Sequence, residues 1–135
     1  MKSIEHYMNS RIFSLADQIH FAQRLSILLN SGISLVDGLE MIRKIENSIG
    51  KKNMLGEIVN SIQHGLSLSK SIRNQNLRFN SLLLILIENG EQNGTLSDSL
   101  LQAYNYLYKK SELKKKIVSA LVYPIFIFIA TIFMS

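Results

Sequence analysis

Residues 109–135 read KKSELKKKIVSALVYPIFIFIATIFMS, a lysine-rich run followed by nineteen residues without Asp, Glu, Lys or Arg. As a helix, residues 117–135 almost cross a hydrocarbon core of roughly 30 Å, because each helical residue rises ~1.5 Å. Their aliphatic and aromatic side chains together favour insertion by roughly 3–6 kcal/mol on the translocon scale. We therefore predict a partial transmembrane helix over 117–135. The alternative is a buried core helix with a basic rim.

The lysines beside this run predict its orientation, because basic residues that flank a span stay in the cytoplasm. With Glu112 they hold +4 of the chain's formal net charge of +5, so the basic excess is a juxtamembrane patch facing anionic lipid. Nucleic-acid binding is therefore not expected, and residues before about 116 are predicted to face the cytoplasm. The juxtamembrane residues are Lys109, Lys110, Lys114, Lys115 and Lys116.

The rest of the chain has the apolar spacing of amphipathic helices. Leu15, Ile19, Ala22, Leu25 and Leu29 recur at intervals of three and four residues, and no window shows the alternation of a half-buried strand. The sequence therefore predicts an all-α fold, an antiparallel bundle of about six helices followed by the membrane segment. We expect an N-terminal segment over 1–13, flexible in character, a helical-bundle domain over 14–116 and the membrane helix over 117–135. The predicted helices cover residues 14–31, 34–47, 51–64, 67–74, 80–93 and 95 onward.

Glycines divide this helical pattern at three similar places. Gly32, Gly65 and Gly94 each come shortly before a Ser/Thr-Leu pair, at Ser34, Ser67 and Thr95. Glycine ends a helix because it tolerates the left-handed conformation, and Ser or Thr begins the next by accepting a bond from an unpaired N–H. This pattern predicts three helical hairpins. Its spacing also allows a tetratricopeptide-like repeat, although the aromatic and small-residue signature of that repeat is missing.

Candidate chemistry is confined to the polar hinge 88–94, ENGEQNG. Glu88 and Glu91, with Asp98 beyond them, are candidate ligands for a hard cation, but the spacing of an EF-hand loop is missing. A helix C-terminus with a structural or interface-forming Glu91 is the interpretation we favour. Without cysteine there is neither a disulfide nor a thiolate metal site, and no nucleotide-binding glycine pattern occurs. We predict no catalytic residue, metal or cofactor.

Four short blocks, at residues 21–35, 65–72, 90–96 and 123–124, together resemble one known family. It is the type II secretion system F family, whose members are inner-membrane platform proteins of type II secretion and type IV pilus assembly. Residues 90–96, GEQNGTL, resemble the family's Gly-Glu-x-x-Gly-x-Leu signature, and Tyr123-Pro124 resembles its entry to the membrane. Ser34 and Asn80 stand where the family often has proline, and the Gln23-Arg24 order is inverted. The other two blocks are 21–35, FAQRLSILLNSGISL, and 65–72, GLSLSKSI.

The resemblance implies a cytoplasmic six-helix platform without enzymatic activity. Its partners would be a cytoplasmic assembly ATPase, other inner-membrane subunits of the machine, pilins or pseudopilins, and a second copy in a dimer. Family members carry two such domains and three membrane helices, so we expect this chain to be part of a longer protein. The structural and interaction motif would comprise Gly32, Gly65, Gly90, Glu91, Gly94, Leu96, Tyr123 and Pro124. A tail-anchored helical adaptor and a soluble helical protein are the alternatives.

Overall fold

The computed structural model describes residues 13–75 and 79–134, and within them the chain forms six α-helices and no β-strand. The predicted all-α fold is confirmed, and each predicted helix bound lies within two residues of the observed one. Along the chain, α1 packs on α2, α2 on α3, α3 on α4 and α4 on α5. The helices are α1 Leu15–Asn30, α2 Leu35–Ile45, α3 Ile49–Gln63, α4 Leu68–Arg73, α5 Ser81–Asn93 and α6 Leu96–Met134.

Serine side chains begin the first four helices. Ser14, Ser34, Ser48 and Ser67 each accept a hydrogen bond from the backbone N–H three residues later, at 3.3–3.4 Å. Such a cap satisfies one of the N–H groups that the first helical turn leaves unpaired. The sequence predicts Ser34 and Ser67 in this role, and the structure adds the other two.

Three glycines end helices in the left-handed conformation, as their positions before the Ser/Thr-Leu pairs predict. The φ angles are 88° at Gly32, 98° at Gly65 and 69° at Gly94. A side chain with a Cβ is strained at these angles, whereas glycine is not. These positions therefore fix where α1, α3 and α5 stop, and they set the short connections between consecutive helices.

The core is built from aliphatic side chains of all six helices. An aromatic cluster lies beside it, with ring centroids 5.1 Å apart between Phe13 and Phe79 and 5.9 Å apart between Phe13 and Phe21. Phe13 is the one described residue of the predicted N-terminal segment, and it is buried. Residues 1–12 lie outside the described part of the chain. The aliphatic residues with less than 2% exposure include Leu25, Leu39, Leu55, Ile58, Leu68, Ile72, Leu83, Ile87 and Leu100.

The chain divides into two compact units between Tyr104 and Asn105, which are neighbours within α6. The first unit, called the bundle below, comprises α1 to α5 and the start of α6. The second is the remainder of α6, called the distal helix. The predicted domain boundary at 116 concerns a membrane surface and stays a prediction.

The distal helix is unbroken through the lysines and through Pro124, as far as Met134. Leu107 is its last buried side chain among those that the structure describes. Beyond it, large apolar side chains are exposed, including Phe126 at 71% and Phe133 at 86%. Within the described residues, α6 is the one helix long and apolar enough to cross a membrane.

Candidate functional site

Glu91 connects two helices through its carboxylate. It lies on α5, and its two oxygens accept hydrogen bonds from the backbone N–H groups of Leu68 at 2.7 Å and Ser69 at 3.0 Å. Ser67 accepts the next one, from Lys70 N–H. The first N–H groups of a helix have no partner within it, and a negative charge there complements the helix dipole. Glu91 therefore caps the N-terminus of α4 with a carboxylate from α5. Whether it also forms part of an interface stays a prediction.

Gly90 brings α5 against the beginning of α6. A Cβ placed on Gly90 would lie 2.8 Å from Leu96 Cα and 2.7 Å from Ser99 Oγ, so no side chain fits without displacing backbone. Its carbonyl accepts hydrogen bonds from the N–H groups of both Gly94 and Thr95. The residues of GEQNGTL thus cover the end of α5, the reversal at Gly94 and the start of α6; Gly90 permits the close packing and Gly94 the left-handed conformation.

Two further polar contacts join segments that are far apart in the chain. Ser26 Oγ donates to the Ser97 carbonyl at 2.9 Å, and Ser97 Oγ donates to the Ser26 carbonyl at 3.1 Å, which ties α1 to α6. The buried amide of Gln18 accepts from Asn80 N–H at 2.8 Å, immediately before α5. Sequence reasoning missed these contacts. The signal available was a polar residue, Gln18 or Ser26, on the apolar side of α1.

A cavity of about 340 Å³ lies beside α1, α2 and α3. Asp17 and Lys51 form an ion pair at its wall at 3.0 Å, and Arg24 approaches Glu46 to 4.0 Å. Burial raises the pKa of the Asp17 carboxyl, but hydrogen bonds from Lys51 and Ser14 lower it by more, so the pKa lies below its ordinary value. These carboxylates are held in ion pairs with neighbouring cations, an arrangement that serves stability.

The three candidate cation ligands are not gathered into one site. Glu88 pairs with Arg73 at 3.0 Å, Glu91 binds the backbone of α4, and Asp98 lies in the first turn of α6. Among residues 13–75 and 79–134, no group of three or more His, Cys, Asp or Glu side chains is placed to hold a metal ion.

The remaining predicted site residues lie at helix ends or on the distal helix. Gly32 and Gly65 end α1 and α3, and Leu96, half-buried, begins α6. Tyr123 is 69% exposed and is followed by Pro124. The structure leaves the side chain of Lys114 undescribed. The other juxtamembrane lysines, Lys109, Lys110, Lys115 and Lys116, are all exposed.

The model of the type II secretion system protein F family matches residues 21–135, which include the glycine-ended helices, the Glu91 turn and the apolar part of α6. This chain belongs to that family. The resemblance seen in the four sequence blocks is thereby confirmed.

Individual members of the family are similar to this chain at low identity but over most of its length. Type II secretion system protein F of Xanthomonas campestris pv. campestris is 25% identical over 90% of this chain and 30% of its own length. The type IV pilus assembly protein PilC of Pseudomonas aeruginosa is 28% identical over 85% of this chain and 31% of its own length. The type IV pilus assembly protein TapC of Aeromonas hydrophila is 27% identical over 82% of this chain and 27% of its own length. The chain therefore spans about a third of the length of these family members.

Proposed function

We propose that this chain is the N-terminal helical domain and first membrane helix of an inner-membrane platform protein. In this role the bundle couples a cytoplasmic assembly ATPase to the pilins or pseudopilins that a type II secretion or type IV pilus machine assembles. The observation that carries the proposal is the family match over residues 21–135. Relatives named for secretion and relatives named for pilus assembly are both similar to this chain, so the proposal covers both kinds of machine.

The polar groups of the hinge support a role without catalysis. Glu88 is paired with Arg73, and both oxygens of Glu91 accept bonds from backbone N–H groups. A general acid or base has to reach a substrate proton at hydrogen-bond distance, and these carboxylates already serve the fold. We expect no ATP turnover by the purified chain. Turnover that disappears in Glu91→Gln would contradict a platform role.

Two features of the distal helix support the membrane placement: its apolar part and the lysines before it. Its apolar side chains are exposed along residues 120–134, as expected of a helix surrounded by lipid. Lysines precede them, so the bundle lies on the cytoplasmic side in this proposal. The domain boundaries follow from the same reasoning, with residues 14–116 outside the membrane and 117–135 within it.

A deletion in the host bacterium tests the function as a whole. Removing codons 14–116 in frame from the full-length gene should abolish surface pili or secretion of the machine's substrates, while the assembly ATPase is still made. The matched control is Glu57→Gln, which changes one exposed carboxylate of α3 and should leave assembly at the wild-type level. Normal pili and normal secretion in the deletion strain would contradict the proposal.

Contact with the ATPase is tested by crosslinking. The chain has no cysteine, so a single cysteine introduced at exposed Asn53 carries a photo-crosslinker to one known place. Crosslinkers placed singly at Asn53, at Lys44 and at Lys70 sample three helices of the bundle. At least one position should form an adduct with the ATPase in cells. Adducts at none of them would contradict direct coupling through this domain.

Dimer formation is tested on the same chain by light scattering in detergent.

A further inference from the structure

Four exposed lysines surround the distal helix just before its apolar part. We call Lys109, Lys110, Lys115 and Lys116 the lysine sleeve. At about 100° per residue, Lys109 and Lys116 share one side, Lys110 lies about a quarter turn away and Lys115 lies towards the opposite side. The sleeve extends over about 10 Å of helix length. Positive charge is therefore distributed around most of the axis and not along one stripe.

The ammonium groups of the sleeve have no carboxylate partner among the described residues. The four ion pairs that the structure contains there all lie within the bundle, at Asp17, Glu40, Glu46 and Glu88. Glu112 lies within the sleeve, but it forms no ion pair with any of the four lysines. Four cations within two helical turns repel one another, and the single carboxylate of Glu112 offsets only one of their charges, so further counter-charge has to come from outside this segment.

The position of the sleeve along the helix indicates what supplies that charge. Leu107 is the last buried residue before it, and the charge-free apolar part of the helix begins directly after it at Ile117, which is exposed. Tyr106 and Tyr108, about half exposed, precede it, as aromatic residues do at a membrane interface. A folded acidic partner would cover one side of a helix, whereas lipid headgroups surround a helix on all sides.

We propose that the lysine sleeve binds anionic phospholipid headgroups and enriches them in the lipid shell around α6. The proposal rests on the membrane placement given above. Beyond the contact with anionic lipid that the sequence predicts, it adds that the lysine sleeve selects anionic over zwitterionic lipids. Each lysine near an anionic surface contributes about 1 kcal/mol, and salt screens the attraction within about 10 Å at 0.1 M. Zwitterionic headgroups carry no net charge and do not supply this attraction.

Spin-labelled lipids measure this selectivity directly. The full 135-residue chain is reconstituted in phosphatidylcholine vesicles that contain a small fraction of spin-labelled phosphatidylglycerol or spin-labelled phosphatidylcholine. The motionally restricted fraction of each gives its relative association constant with the helix. For the unaltered chain we expect phosphatidylglycerol to be preferred by about two-fold or more, and the preference to fall towards one in 1 M NaCl.

A charge-matched pair of triple variants locates the effect. Lys109→Gln, Lys115→Gln and Lys116→Gln together should bring the phosphatidylglycerol preference close to one. The control triple removes the same number of charges from exposed lysines of the bundle and should keep the preference of the unaltered chain. Its substitutions are Lys44→Gln, Lys52→Gln and Lys70→Gln.

The outcomes separate this inference from the proposed function. Chain that floats with the vesicles but associates equally with both lipids, or a control triple that loses the preference equally, overturns the lysine sleeve alone. Chain that fails to float with any vesicle overturns the membrane placement, and the lysine sleeve with it. The salt series on the unaltered chain gives an answer even if a triple variant misfolds.

Discussion

The bundle and the distal helix use the same residue types in opposite surroundings. In the bundle, Leu39 and Ile87 are fully buried and four ion pairs form among the described residues. In the distal helix, Ile127 and Phe126 are exposed, and none of those ion pairs includes a lysine of the lysine sleeve. Burial away from water stabilises an apolar side chain by the same physics in a protein core and in lipid. The comparison indicates that the first unit carries its own core, whereas the described apolar side chains of the second are exposed from Ile117 onward, as in a helix that a membrane would surround.

The largest effect should come from a core truncation in the bundle. Leu39→Ala removes a side chain with no exposed surface and should lower the free energy of unfolding by about 2–5 kcal/mol. Ile127 in the distal helix is 46% exposed, so Ile127→Ala should change the free energy of unfolding by less than about 0.5 kcal/mol in detergent. Urea unfolding of both variants in a mild detergent measures this. Equal losses would erase the distinction between the two units.

When membrane insertion is measured instead of stability, a lysine introduced into the distal helix should have a large effect and a lysine introduced into the bundle a small one. Ile127→Lys should disfavour insertion of α6 by about 3–4 kcal/mol on the translocon scale, since a lysine replaces an isoleucine at the middle of the segment. Ile27→Lys, at a 57% exposed position of α1, should insert like the unaltered chain. The fraction resistant to alkaline extraction of membranes measures both. Unimpaired insertion of Ile127→Lys would show that α6 does not cross the bilayer.

Within the bundle, the effect of adding a Cβ should differ between two helical glycines, Gly90 and Gly56. Gly90→Ala should cost about 1–3 kcal/mol, because its Cβ would meet the backbone of Leu96. In Gly56→Ala the atoms nearest to the Cβ would be those of the Arg43 guanidinium, at 3.2–3.3 Å, at the far end of a long side chain. The better helix propensity of alanine should therefore leave stability equal or raise it by up to about 1 kcal/mol. Thermal unfolding of the two variants decides. A tolerated Gly90→Ala would refute the close approach of α5 and α6.

Glu91 should matter through its charge. Glu91→Gln keeps one acceptor oxygen but loses the charge that faces the N-terminus of α4, at a cost of about 1–2 kcal/mol. Amide hydrogen exchange should accelerate at Leu68 and Ser69 more than elsewhere in the bundle. Glu57→Gln serves as the control, since Glu57 is exposed on α3. If Glu91→Gln accelerates exchange at Leu68 and Ser69 no more than at the other amides of the bundle, the capping role is refuted.

The smallest effect should be a pH dependence at Asp17. Its pKa lies below the ordinary value in the folded chain, so its stabilising contribution is present above the unfolded pKa of about 4. That contribution is lost as the pH falls through the lowered folded pKa, where the carboxylate becomes protonated. Melting temperatures between pH 2 and 5 should therefore fall more steeply for the unaltered chain than for Asp17→Asn. Parallel curves would show that Asp17 does not contribute.

The local features of the fold were predictable because they depend on neighbouring residues. Gly32, Gly65 and Gly94 mark helix ends by their conformational freedom, and Ser34 and Ser67 mark helix starts by their side-chain oxygens. A pattern of three or four residues contains this information.

The long-range part of the candidate site was not predictable in the same way. Glu91 meets Leu68 across 23 residues, and Ser26 meets Ser97 across 71. Which helix end receives a carboxylate depends on how the helices pack, and no local pattern records that. The sequence indicated Glu91 as structural but could not name its partner.

The measurement that tests the account most directly is the accessibility of the bundle from outside the cell. The chain has no cysteine, so Asn53→Cys places one reactive thiol on exposed α3. In spheroplasts, a membrane-impermeant maleimide should leave this thiol unlabelled in chain retained by the membrane fraction, and should label it after detergent is added. Labelling of intact spheroplasts would contradict a cytoplasmic bundle joined to a membrane-crossing α6.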